Sequence, residues 1–138
     1  MRSDAHNALQ DWLIELYRAR GLIAIKEYYM NGKKIDVLSQ DVLSRRTVAN
    51  EIEFSPKHAV ENIVRDLQAG CDQVRVFAVN TSVLTQIQNK AMRVLDNETL
   101  SKVAFYLIDD FFPIKTTKTP YRIRRNLIRK KSGINRGN

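Results

Sequence analysis

Between residues 4 and 20 apolar side chains recur every three or four positions. Ala5, Ala8, Leu9, Trp12, Leu13 and Leu16 share one face of a helix, Ser3 or Asp4 can cap it, and Gly21 stops it. The period then drops to two. Residues 22–30 read as a strand, Asn31-Gly32 is a strong two-residue hairpin signal, and residues 33–39 read as the returning strand. A short polar connection over 40–45 leads to a third strand at 46–54, which completes a meander. Ser55-Pro56 reads as the opening of a second helix, with serine as N-cap and proline at the first helical position. Val60, Ile63, Val64 and Leu67 form its inward stripe, and Gly70 closes it.

Residues 72–80 hold Val74, Val76, Phe77, Ala78 and Val79, the nearly continuous apolar run of a strand covered on both faces. A strand, a crossover helix and a strand over 46–80 imply parallel pairing. A third helix is expected over 82–95 with Leu84, Ile87, Ala91 and Val94 inward, and a last strand over 102–108. The predicted order is α-β-β-β-α-β-α-β, an α/β fold with a mixed sheet flanked by helices. Pro113 and Pro120 mark the passage from a domain over 1–114 to a tail over 115–138.

Charge divides the chain in the same way. The net charge is +8, yet nine Lys/Arg and no acid lie beyond residue 114, leaving fourteen bases against all fifteen acids in 1–114. A tail bearing Lys118, Arg122, Arg124, Arg125, Arg129, Lys130 and Lys131 is expected to bind nucleic acid by releasing counterions from phosphates. The plain alternative is a disordered, solubilising end. Tyr121, Ile123, Leu127 and Ile128 interleave with the charges, so ordering on a partner or on the body is a further possibility. No apolar run reaches the roughly 18 residues of a membrane span, no signal-peptide pattern opens the chain, and Cys71 stands alone. A cytoplasmic protein without disulfides or a cysteine-rich zinc site is the expectation.

Candidate chemistry concentrates on the third strand. In Glu51-Ile52-Glu53 the alternation of a strand points both glutamates one way and Ile52 the other. Carboxylates among apolar neighbours are costly to bury unless something positive compensates them. Asp36, in Ile35-Asp36-Val37, repeats the pattern on the neighbouring strand. Such an oxygen-rich set suits Mg²⁺ or Mn²⁺. The alternative is a set of surface ion pairs with Lys33, Lys34, Arg45, Arg46 and Lys57. His58 and Cys71 carry no catalytic spacing, there is no glycine-rich phosphate loop, and Trp12, Tyr28 and Tyr29 read as core and rim.

A helix, a hairpin bearing an aspartate, and a strand bearing Glu-x-acid that leads into a helix together resemble the restriction-endonuclease-like, or PD-(D/E)XK, superfamily over residues 5–80. Asp36 takes the place of the aspartate, Glu51 that of the (D/E), and Glu53 stands where lysine is usual. The run from Glu27 to Asp36 and then Glu51-Ile52-Glu53-Phe54-Ser55 is similar to CoiA-like and mobile-element nucleases, whose helix histidine and first-strand glutamate would be His6 and Glu27. Holliday-junction resolvases are similar in topology, with Glu15 nearest to their helix glutamate.

The resemblance implies a metal-dependent DNA endonuclease that hydrolyses phosphodiester bonds. Asp36 and Glu51 would bind Mg²⁺ or Mn²⁺, and Glu53 would hold the same ion or a second one. Glu27 and His6 would be outer members, and Lys57 or that second ion would stand in for the missing lysine. Its rival is a catalytically inactive DNA-binding or assembly subunit of the same fold, and a third reading is an RNA-binding protein driven by its tail. Cutting both strands of a duplex needs two sites, which makes a homodimer or a larger protein partner part of the expectation.

Overall fold

A computed structural model describes residues 3–111. The tail over 115–138, with Lys118, Arg122, Arg124, Arg125, Arg129, Lys130 and Lys131, lies outside the described residues. The elements are α1 (Asp4–Ala19), β1 (Ile23–Met30), β2 (Lys33–Gln40), β3 (Thr47–Glu53), α2 (Ala59–Ala69), β4 (Gln73–Ala78), α3 (Thr81–Val94), α4 (Asn97–Leu100), β5 (Val103–Leu107) and α5 (Ile108–Phe111). The strands form one mixed sheet in the order β1-β2-β3-β4-β5. β1, β2 and β3 pair antiparallel, whereas β3–β4 and β4–β5 are parallel, as their helical crossovers require.

Two hydrophobic clusters lie on the two sides of this sheet. Leu9, Leu13, Ile14 and Tyr17 of α1 pack with Ala24, Val37, Ile52, Phe77 and Ile108. Ala59 and Ile63 of α2 and Val83 and Ile87 of α3 pack with Ile35, Ala49, Val74, Val76 and Ala78. The hairpin takes part in both. Ala24 and Val37 serve the α1 cluster, but Tyr28 and Ile35, which share their parity in a regular strand, serve the other. Both strands therefore switch faces between Lys26↔Val37 and Tyr28↔Ile35, where Glu27 and Asp36 stand across from one another. Glu27 marks the switch with φ 52, a left-handed backbone that few side chains other than glycine adopt. Beyond it, Asn31 and Gly32 both have positive φ, as a two-residue hairpin turn matched to the strand twist requires. Asn31 there donates to the Ala69 carbonyl, pinning the tip to the end of α2.

Several expectations shift. α2 begins at Ala59 behind His58, which makes no side-chain cap bond. The Ser55 hydroxyl instead accepts from Lys57 N at 3.1 Å, closing a turn before the helix starts. α1 is rotated from the expected stripe: Ala8 is exposed, while His6 and Gln10 are buried beside Leu9, Leu13, Ile14 and Tyr17. The reason is polar, since Gln10 Nε2 donates to the Asp36 carbonyl at 3.0 Å and Tyr17 Oη to Asn50 Oδ1 at 2.6 Å. On α3 Val83 is buried and Val94, expected inward, is 58% exposed because the helix ends there. α4 and α5, four residues each, are too short to leave a period in the sequence.

Candidate functional site

Asp36 sits where β2 leaves β3. The ladder between the two strands stops at Val37↔Asn50, so backbone pairing has ended one step before Asp36 and Glu51. The Asp36 side chain continues the ladder: Ile52 N donates to its Oδ2 at 2.9 Å. A buried amide that would otherwise be orphaned is satisfied by a carboxylate. His6 Nε2, from α1, lies 3.4 Å from the same oxygen.

The gap between the strands opens into a cavity of about 370 Å³. Its walls bring together Asp36, Glu51 and Glu53, with Lys33, Lys34 and Arg65 at the same opening. Asp36 and Glu51 are almost fully buried, and Glu53 is half-buried, its Oε2 accepting from Asn62 Nδ2 of α2 at 3.3 Å. Glu51 makes no ion pair with a lysine or arginine among the described residues. Burial pushes its carboxyl well above the ordinary carboxylate range, helped by a hydrogen bond that its protonated form donates to Asp66 and by the charges of Asp36, Asp66 and Glu53. Asp66, on α2, is raised too, chiefly by burial. Of the two carboxyls, Glu51 is raised the further. Asp66 Oδ2 is buried without a hydrogen-bond partner among the described residues.

The placements of the expected residues differ. Asp36, Glu51 and Glu53 meet at one cavity, and His6 reaches it through Asp36. Glu27 faces Asp36 across the hairpin but is not among the residues lining the cavity. Lys57, expected on the first turn of α2, is exposed in the turn before it and does not line the cavity, because the helix starts two residues later. Lys33, Lys34 and Arg65 occupy the position it was expected to fill. Asp66 went unread. Its signal was an acid three residues after Ile63, within the stripe that helical spacing assigns to the core.

An all-oxygen donor set of this kind suits a hard cation. Yet among the described residues no group of three or more His, Cys, Asp or Glu is arranged to hold a metal ion. The carboxyls have other engagements: Glu51 with Asp66, Asp36 with Ile52 N, Glu53 with Asn62. Cys71 is buried, with its thiol pushed up to about 12 by burial, and is inert as a nucleophile. No helix among the described residues is long and apolar enough to cross a membrane. No family model matches the chain. No curated protein and no solved structure matches it significantly either.

Proposed function

We propose that this chain is a divalent-metal-dependent endonuclease of the restriction-endonuclease-like type, acting on the phosphodiester backbone of DNA. The observation that carries the reading is the parting of β2 from β3 at Asp36, which exposes Asp36, Glu51 and Glu53 to one cavity with cationic side chains at its opening. Asp36, Glu51 and Glu53 would hold Mg²⁺ or Mn²⁺, which when bound lowers the pKa of a water and neutralises developing charge. A raised Glu51 must give up its proton to serve as a ligand, so ion binding would be coupled to proton release. Lys33, Lys34 and Arg65 would hold the phosphate oxygens, and Asn62 keeps Glu53 directed along the wall. Since Glu53 stands where lysine is usual, the positive charge comes from these residues and not from β3.

The test is nicking of supercoiled plasmid by wild type, Glu51→Gln and Glu53→Lys, with Mg²⁺, Mn²⁺ or chelator. Glu51→Gln should abolish nicking and leave DNA affinity equal or higher, because glutamine can bring no negative charge near the phosphate. Glu53→Lys should not improve activity if Glu53 is a ligand. Activity that survives Glu51→Gln would sink the reading. A second reading, a DNA-binding subunit of this fold that does not cut, draws on the raised carboxyl of Glu51, which disfavours the anionic form a metal needs. Wild type that binds DNA but never nicks it in either metal would favour that reading.

A further inference from the structure

On the α1 side of the sheet a second cavity, of about 200 Å³, lies beside Leu22 where the chain leaves α1. Ser39, Asp41, Arg46, Gln73 and Arg75 line it. Arg75 is half-buried and held along one edge. Its Nη1 donates to Tyr17 Oη at 2.9 Å, and its guanidinium carbon lies 5.7 Å from the centre of the Tyr17 ring. Tyr17 Oη in turn donates to Asn50 Oδ1, and Asn50 Nδ2 donates to Ser39 Oγ at 3.0 Å. A buried chain of hydrogen bonds thus fixes the arginine and leaves the Ser39 hydroxyl proton free to be given elsewhere. Gln73 has no side-chain hydrogen-bond partner among the described residues.

What is missing is an ion pair to either arginine. A guanidinium withdrawn from water ordinarily has an anionic partner. No carboxylate pairs with Arg75 or Arg46 among the described residues, and residues 1–2 and 112–138 contain no Asp or Glu that could supply one. Asp41, which lines the same cavity, accepts from the Leu43 and Ser44 amides on its Oδ1 at 2.8 and 2.9 Å and forms no ion pair with either arginine among the described residues. Nor does Tyr17, whose hydroxyl is kept neutral because burial raises its pKa.

We propose that this cavity is a phosphate site, in which the fixed Arg75 and the exposed Arg46 clamp one phosphate group while Ser39 and Gln73 donate to its remaining oxygens. Arginine suits this task because its planar fork meets two phosphate oxygens at once. The site needs no metal and lies outside the carboxylate cavity, so it stands or falls independently of the nuclease reading. The same chemistry is offered by a diester in a nucleic-acid strand and by a free phosphate or monoester.

The experiment titrates the full chain with inorganic phosphate and, separately, with an unphosphorylated DNA octanucleotide, at ionic strength held constant with chloride. The basic tail also attracts phosphates, so the readout is local: the Arg75 Nε–H resonance and the Ser39 and Gln73 amides in nitrogen–proton correlation spectra. One or both probes should shift these resonances, with at least about tenfold weaker binding in Arg46→Gln and in Arg75→Gln. A response to the octanucleotide alone assigns the site to a polymer backbone, and a response to inorganic phosphate assigns it to a free phosphate or monoester. Arg46 is exposed, so Arg46→Gln keeps the fold and decides the matter even if Arg75→Gln does not fold. Resonances that neither probe moves, or that move equally in wild type and Arg46→Gln, overturn the proposal.

Discussion

Glu51 and Asp66 tie the stability of the domain to pH in an unusual direction. A carboxyl whose folded pKa is raised binds its proton more tightly in the native state than in the unfolded chain. Its favourable contribution is therefore complete at acid pH and is lost as pH climbs from the ordinary carboxylate range through the raised value. Glu51→Gln removes this loss. At neutral pH, in chelator, that variant should be more stable than wild type by on the order of 1–3 kcal/mol, and its stability should change less between pH 4 and 8. Urea denaturation across that range checks both, and a variant less stable than wild type at neutral pH would contradict the raised Glu51 carboxyl. Asp36 makes the opposite case. Its carboxylate satisfies Ile52 N inside the sheet, so Asp36→Ala should cost about 1–3 kcal/mol by orphaning that amide. Asp36→Asn keeps an acceptor oxygen and should recover much of the loss.

At the scale of elements, what could be read from the sequence was whatever leaves a period or a turn signature. α1, the hairpin turn at Asn31-Gly32, β3 and the β3-α2-β4 crossover stand within a few residues of their expected bounds. The prediction that Glu51 and Glu53 share a face opposite Ile52 follows from strand geometry alone, and Ile52 does pack into the α1 cluster. Legibility failed where polar contacts across the fold overrode local pattern. Gln10 and Tyr17 turn the inward face of α1 toward partners on β2 and β3 that lie 26 and 33 residues away in the chain. Ser55 closed a turn where a cap was expected, which left Lys57 outside the site. Arg75 reads in sequence as a single interruption of an apolar strand, and only its hydrogen bond to Tyr17 distinguishes it. The raised carboxyls of Glu51 and Asp66 leave no mark in the sequence either, because their burial depends on how α2 lies over β3.

Over the whole molecule, the proposed function would divide attraction from chemistry along the same line as the charge. Residues 1–114 carry a net −1, so the surplus of positive charge belongs to 115–138. Replacing Arg122, Arg124, Arg125, Arg129, Lys130 and Lys131 with serine should flatten the dependence of DNA affinity on salt, by a slope of about 0.9 for each phosphate that the tail no longer neutralises. Nicking per bound complex should hardly change. A slope that stays put, measured by fluorescence anisotropy from 50 to 200 mM salt, would show that the grip lies on the body. The face-switching hairpin has a consequence for how the domain comes apart. A sheet with a separate core on each side can, in principle, shed one helical layer and keep the other. Here the same two strands are clasped by α1 near their outer ends and by α2 near the turn, so releasing either layer frees half of a hairpin that the other layer requires. The two cores then share one fate. Amide hydrogens in α1 and in α2 should exchange through a single opening of equal free energy, and the molecule should melt as one unit.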